Sequence, residues 1–322
     1  MGGRVIASAR PARSRAHLGL VAWVALACVG FAVAPAPPDP PAMDADEIAA
    51  IQRSLDRLVA DTRAWQRERG DFDRPWHDAE GHLAIVIDDV GRELHLFEQL
   101  LALRYHLTFS VLPGAVFAPG VQLRLRADRR RYREIMLHLP MEPLDESMMH
   151  AGADAQEEFL RVEDAPDELT GKLERALARV PAAIGVNNHM GSRLSAERGA
   201  MDALMPVLAA RGLFFVDSRT SAATQAEAAA VAAGVPSMPR RVFLDDDPSP
   251  AAIEAQLVAA ARSARERPTV AIGHPSPALV DVLRRRLPEL HAAGVTIYPV
   301  SELLAHEGAL AGSAASGTAH RE

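Results

Sequence analysis

Short apolar runs that end on polar residues recur along the chain. They are Leu83-Ala-Ile-Val-Ile-Asp88-Asp89, Thr108-Phe-Ser-Val-Leu-Pro113, Ile135-Met-Leu-His138, Ala183-Ile-Gly-Val-Asn187-Asn188-His189, Leu213-Phe-Phe-Val-Asp217-Ser218-Arg219 and Thr269-Val-Ala-Ile-Gly273-His274. Segments with helical spacing of apolar residues separate most of them. The pattern predicts strands over 83–88, 107–112, 134–138, 183–187, 213–217, 269–273 and 295–299, with a short one at 241–244. Helices are predicted over 92–104, 121–131, 166–179, 198–211, 221–233, 250–265 and 277–292, and Gly212 and Gly294 stand where helix-closing glycines belong. Alternating strands and helices imply a parallel sheet. A (β/α) barrel, distorted or incomplete, accounts for this count of elements, and an open doubly wound sheet is the structural alternative. Either way, ligands bind beyond the carboxyl ends of the strands, where these acids and histidines sit.

The flanking segments read differently. Arg4, Arg10, Arg13 and Arg15 precede an uncharged run from Leu18 to Pro37, the order of a secretory signal or a membrane anchor. Ala-Val-Ala at 32–34 resembles a cleavage site but is followed by Pro35, and Ala25-Leu-Ala-Cys28 is a weak match to a lipoprotein box. Each version predicts an extracytoplasmic, periplasmic protein, tethered to the inner membrane if the segment is retained. Residues 38–81 hold the remainder of a Pro-rich spacer (35–41) and an amphipathic helix over 44–69. The working domain spans 82–305, and 306–322 has the composition of a disordered tail.

Composition narrows the chemistry. The chain has 322 residues, 48% of them hydrophobic, enough for a sizeable core. Its formal charge of −7 argues against a nucleic-acid binder, and no Gly-rich phosphate loop follows any strand, so no nucleotide is expected. Cys28 is the only cysteine and lies in the N-terminal apolar run, leaving His and carboxylate as the ligands for any metal. Asp89, His138 and His189 end three different runs. Closure of a barrel would bring them to one rim as a three-ligand set with a position open to water, as in hydrolytic zinc sites.

Three strings, Ile87-Asp88-Asp89-Val90-Gly91, His138-Leu-Pro-Met-Glu142-Pro143 and Gly185-Val-Asn-Asn-His-Met-Gly-Ser192, resemble the divergent branch of the polysaccharide deacetylases, bacterial envelope proteins of the NodB-homology superfamily. The resemblance covers residues 83–304. It implies a distorted (β/α)7 barrel and metal-dependent removal of an N- or O-acetyl group from a glycan, with Zn²⁺ the expected cofactor. Carried over residue by residue, Asp88 is the general base, Asp89 and His138 are metal ligands, and His274 is the general acid. The sequence departs from the superfamily where Glu142 replaces a second histidine and where an Arg-x-Pro-Tyr string is missing. His189 then supplies the third ligand, with Glu142 as the alternative. Glu142, Asn188, Ser192, Arg193, Asp217 and Arg219 are expected to orient substrate or catalytic groups. A catalytically inactive envelope protein that binds a glycan or a partner in the same cleft is the competing class. A metal phosphoesterase is a third, without a visible phosphate cradle.

Overall fold

The computed structural model describes residues 73–128, 131–149 and 157–307. The N-terminal apolar run, the spacer, the 44–69 helix and the tail from residue 308 lie outside them. Among the described residues no helix is long and apolar enough to cross a membrane.

Among the described residues, eight parallel strands alternate with seven helices: β1 (Gly81–Val90), α1 (His95–Ala102), β2 (Thr108–Val111), α2 (Ala118–Ala127), β3 (Ile135–Met141), α3 (Pro166–Arg179), β4 (Gly185–Met190), α4 (Arg198–Arg211), β5 (Phe214–Asp217), α5 (Ala226–Ala232), β6 (Ser237–Phe243), α6 (Pro250–Glu266), β7 (Thr269–Gly273), α7 (Pro277–Ala292) and β8 (Val295–Ile297). A further helix runs over 300–307. The sheet runs β2-β3-β4-β5-β6-β7-β1-β8, and β2 also pairs with β1, which closes seven strands into a ring. This is the expected (β/α)7 barrel rather than an open sheet. Strand β7 lies along one edge of β1 from Leu83 to Ile87. On the other edge β8 pairs with Gly81–Leu83 and β2 with residues from Val86 onward, so β8 is wedged in at the amino end only.

Local chemistry sets the helix limits. Helices α3, α6 and α7 each open with Pro at the first position, where its missing N–H costs nothing. The Ser249 and Ser276 hydroxyls accept from Ala252 N and Leu279 N to cap the latter two. Helix α5 is shorter than predicted, beginning at Ala226, because residues 218–225 form a loop at the barrel mouth. Strand β6 begins earlier than predicted; Pro239, Arg240 and Arg241 had masked it.

Period-two alternation divides the core in two. Leu83, Ile85 and Ile87 face the helices in the larger cluster. Ala84, Val86, Met136, Phe214, Val216, Met238, Val270 and Ile272 fill the barrel interior. Gly185 belongs to that inner face, since a Cβ there would stand 2.2 Å from the Phe214 ring. The amino end is closed by Trp76, stacked between His82 at 3.8 Å and His306 at 3.9 Å between ring centroids. Buried Glu134 completes this floor, accepting from Thr108 Oγ1 and from the backbone amides of Val300 and Ser301.

Candidate metal centre and catalytic cavity

The inward faces of the strands carry the apolar interior upward into polar chemistry. Val86 is followed two residues on by Asp88, Met136 by His138, Gly185 by Asn187 and His189, and Ile272 by His274. Asp89 breaks this parity. The β1–β2 register slips between Ile87 and Val90, and Asp89 takes φ 55°, so that adjacent carboxylates reach the same site. The strand ends of β3 and β4 run further than predicted, and their pairing sets His138 opposite Asn187. The segment from Leu139 to Met141 is therefore strand, beyond the predicted end at 138. Pro140 fits there because β2 pairs with β3 no further than Leu137, so that edge asks for no N–H from it, and its carbonyl accepts from Leu160 N at 3.0 Å.

Asp89, His138 and His189 converge as a group able to hold a metal ion. Asp89 Oδ1 lies 3.2 Å from His138 Nε2 and 3.0 Å from His189 Nδ1, and the two nitrogens are 3.2 Å apart. Donors of a tetrahedral site with bonds of ~2.0–2.1 Å stand ~3.3–3.4 Å apart, so this triangle already has the required spacing. Asp89 Oδ1 is also buried without a hydrogen-bond partner, an expensive position for a carboxylate oxygen unless a cation takes it. The other carboxylate oxygen accepts from Arg92 Nη1 at 2.8 Å, leaving one oxygen per acid for the centre.

Asn187, which sequence reasoning passed over, sets the chemistry of this group. Its Nδ2 donates to both oxygens of Asp88, at 2.9 and 3.1 Å, and to Ser218 Oγ at 3.2 Å. Its Oδ1 therefore faces Ser110 Oγ and His138 Nδ1, the latter at 2.9 Å. An acceptor at that position puts the imidazole proton on Nδ1 and directs the Nε2 lone pair at the centre.

Electrostatics agree with a cation-seeking site. Burial pushes the Asp89 carboxyl up, but the two imidazoles against it outweigh burial and hold it well below the ordinary range. Burial pushes His138 down, and the charges of Asp88 and Asp89 overcome it, raising that imidazole. His189 is lowered, chiefly by burial.

A cavity of about 510 Å³ opens over the group, lined by Asp88, His138, His189, Asn188, Ser192, Ser218, Arg219, Arg240, Asp246 and His274 among others. At the end of β7, the strand beside β1, His274 Nδ1 lies 3.2 Å from Asp245 Oδ1, and its backbone N–H donates to Asp245 Oδ2 at 2.7 Å. Burial lowers this imidazole, but Asp245, Asp88 and Asp89 together raise its pKa to about 9. Asp245 was likewise missed in the sequence, where it is one of three consecutive aspartates.

The expected orienting residues divide. Asn188, Ser192 and Arg219 line the cavity. Asn188 also ties β4 to the β5 loop, donating to Met190 O and accepting from Ser218 N. Glu142, Arg193 and Asp217 are not on the cavity wall. Fully buried Glu142 accepts from Arg193 Nη1 and Val162 N, and its own carbonyl accepts from Arg193 N and Leu194 N. Both carboxylate oxygens are thus committed, and Glu142 stands outside the metal group as a brace between loops. Asp217 is at an outward position of β5; it accepts from Arg219 N and Thr224 Oγ1 and shapes the loop that follows. Ser218, one residue on, takes the inward position.

Comparison with known proteins agrees with this architecture. Residues 85–304 match the family model of the divergent polysaccharide deacetylases, and the chain belongs to that family. It is 37% identical over 225 residues to the uncharacterized protein YibQ of Escherichia coli K12, covering 70% of this chain and 67% of that one. An uncharacterized Haemophilus influenzae protein is 36% identical over 215 residues, 66% of this chain and 74% of its own. The crystal structure of the uncharacterized protein ATU2773 from Agrobacterium tumefaciens C58 superposes with a TM-score of 0.64 at 26% identity, covering 71% of this chain and 92% of the other.

Proposed function

We propose that the protein is a metal-dependent hydrolase that removes acetyl groups from an envelope or extracellular polysaccharide. The observation that carries this reading is the triangle of Asp89 Oδ1, His138 Nε2 and His189 Nδ1, with sides of 3.0 to 3.2 Å, at the floor of a cavity that also presents Asp88 and His274. Two nitrogens and one oxygen suit zinc or a cation of similar character. Bound there, a divalent cation supplies Lewis acidity, lowering the pKa of a water and polarising an acyl carbonyl.

The remaining steps fall to side chains. Asp88, held by Asn187 with Oδ2 3.6 Å from His138 Nε2, accepts the proton of the attacking water. As the bond between the acyl carbon and the sugar nitrogen or oxygen breaks, protonated His274 at the end of β7 gives its proton to the departing group. Asp245 keeps that imidazole charged and turned. Acetate and a free amine or hydroxyl remain. The N-terminal arginines and apolar run support a site of action outside the cytoplasm, with the chain tethered at its N-terminus.

The test is metal content together with acetate release from N-acetylated chitooligosaccharides and peptidoglycan. Wild type is expected to hold one divalent ion per chain and to release acetate. Asp88→Asn is expected to keep the ion and lose turnover. An ion with no acetate from any glycan would favour the reading of an inactive glycan-binding protein, for which the replacement of the superfamily's second histidine by the loop brace Glu142 is the structural argument. Loss of the ion in Asp88→Asn would make Asp88 a ligand rather than a base.

A further inference from the structure

The cavity over the metal group carries more positive charge than the proposed reaction uses. Arg219, Arg240 and the charged His274 line it, against Asp88 and Asp246, in a protein whose formal charge is −7. Arg240 is accounted for. It donates from Nη2 to Arg219 O at 2.9 Å and from Nε to Ser218 O, and its guanidinium lies 4.7 Å over the centroid of the Phe243 ring. The charges of Asp88 and Asp246 also bear on it.

Arg219 is different. Its side chain is exposed to the cavity and makes no hydrogen bond or ion pair among the described residues. Its backbone sits at φ 48°, a conformation that residues with a Cβ seldom adopt. Two neighbours hold it there: Asp217 Oδ1 accepts from Arg219 N at 2.8 Å, and Arg240 donates to Arg219 O. Asp217 is itself buried and fixed by Thr224. Two buried or half-buried charged groups thus hold the backbone of one arginine, whose guanidinium is left over the cavity with no hydrogen bond or ion pair among the described residues, although the charge of nearby Asp217 bears on it. A guanidinium presents a planar fork of donors matched to an oxyanion.

We propose that the glycan is acidic, with a carboxylate or phosphate on the acylated sugar or its immediate neighbour, and that Arg219 binds that oxyanion. This rests on the deacetylase reading and names its substrate class. The anion lies on the β5 side of the cavity, so that Arg219 fixes which acyl group reaches Asp88. Arg219 is a specificity residue in this scheme, and Asp217 and Arg240 are positioning residues for it.

The experiment measures binding by titration calorimetry on the full chain carrying Asp88→Asn, so that turnover does not intervene. The probes are the disaccharide N-acetylglucosaminyl-N-acetylmuramic acid, its lactyl methyl ester, and chitobiose with and without a 6-phosphate. The acid is expected to bind about ten-fold or more tightly than its ester, the value of one charge-assisted fork. Arg219→Gln is expected to close that gap, and Arg219→Lys to restore part of it, since charge returns without the fork. A gap only between phosphorylated and plain chitobiose, closed by the same variant, also supports the proposal and identifies phosphate as the oxyanion. Equal binding of acid and ester and of both chitobioses, or a gap that survives Arg219→Gln, overturns it. Acetate release is followed separately on wild type. A charge-dependent gap without acetate from any probe refutes the deacetylase reading and leaves the anion site standing; acetate release with no gap does the reverse.

Discussion

Asn187→Leu tests whether one buried amide organises the whole centre. The substitution keeps the volume and removes every polar contact the amide makes. Asp88 loses the donor to both of its oxygens, His138 Nδ1 loses its acceptor, and the Ser110 hydroxyl loses its own. Asp88 is 3% exposed, His138 1% and Ser110 0%, so water from the cavity replaces those partners only in part. A buried polar group left unpaired costs about 1–3 kcal/mol, so three of them, partly relaxed, predict a loss of roughly 3–6 kcal/mol. For a domain of this size that lowers Tm by roughly 10 °C or more. A second loss is independent of the first. Without an acceptor at Nδ1, His138 no longer favours the tautomer with its lone pair at the centre, and metal affinity is expected to fall about 10- to 100-fold. Urea unfolding in excess chelator reports the stability term alone, and a competition titration with a zinc indicator reports the affinity. A zinc Kd within about three-fold of wild type would show that Asn187 does not set the histidine, and an unfolding free energy within about 1 kcal/mol would show that its contacts are not retained in solution.

Two further outcomes follow from the same geometry. His274, raised to about 9 by Asp245 and the two site acids, is expected to titrate well above the usual histidine range in an NMR titration of the metal-free chain, and Asp245→Asn to bring it down; a wild-type midpoint near 6.5 would refute the pairing. Because the folded-state pKa is the raised one, the stability this pair contributes is full below about 6.5 and disappears as pH rises through about 9, so the wild type's advantage over Asp245→Asn in urea melts should fade across that window. Glu142→Gln is expected to keep the metal content of wild type while lowering stability, since the bond to Val162 N survives but the charge pair with Arg193 does not; loss of metal would return Glu142 to the ligand set.

Much of the site could be read from the chain because its members end apolar runs. Asp89, His138, His189 and His274 each end an apolar run toward the carboxyl end of a strand, and parallel strands in a ring deliver those ends to one rim whatever the details. Strand parity would have refined the reading. Counting inward positions from Phe214 through Val216 gives Ser218, and assigns the outward side to Asp217. Asn187 shares the face of His189 by the same count. Its importance was still hidden, because an amide acquires a role only from what stands beside it, here an acid 99 residues earlier in the chain and a histidine 49 residues earlier. Glu142 misled for the opposite reason. Its spacing from His138 suggested a ligand, but Arg193 and the backbone of Val162, remote in sequence, had already claimed both its oxygens. Asp245 sat unnoticed among three aspartates because only its pairing with His274 N sets it apart.

The catalytic rim also shows how a barrel reconciles packing with chemistry. Strand alternation commits every second residue to the interior, which suits a core but denies two adjacent acids access to one site. The register slip after Ile87 resolves this at a single point, turning Asp89 to φ 55° and placing base and ligand side by side. Met190 at φ 54° and Arg219 at φ 48° are bent the same way at the ends of β4 and just past β5. A non-glycine residue in the left-handed region costs of order 1 kcal/mol or more; of the four among the described residues, these three lie at the carboxyl ends of the barrel strands, and the fourth, Arg104 at φ 62°, follows α1. The floor, by contrast, is stacked aromatics and a fully hydrogen-bonded Glu134. Three of the four strained backbones thus stand where side chains must be aimed, as expected if rim geometry is maintained for chemistry rather than for stability.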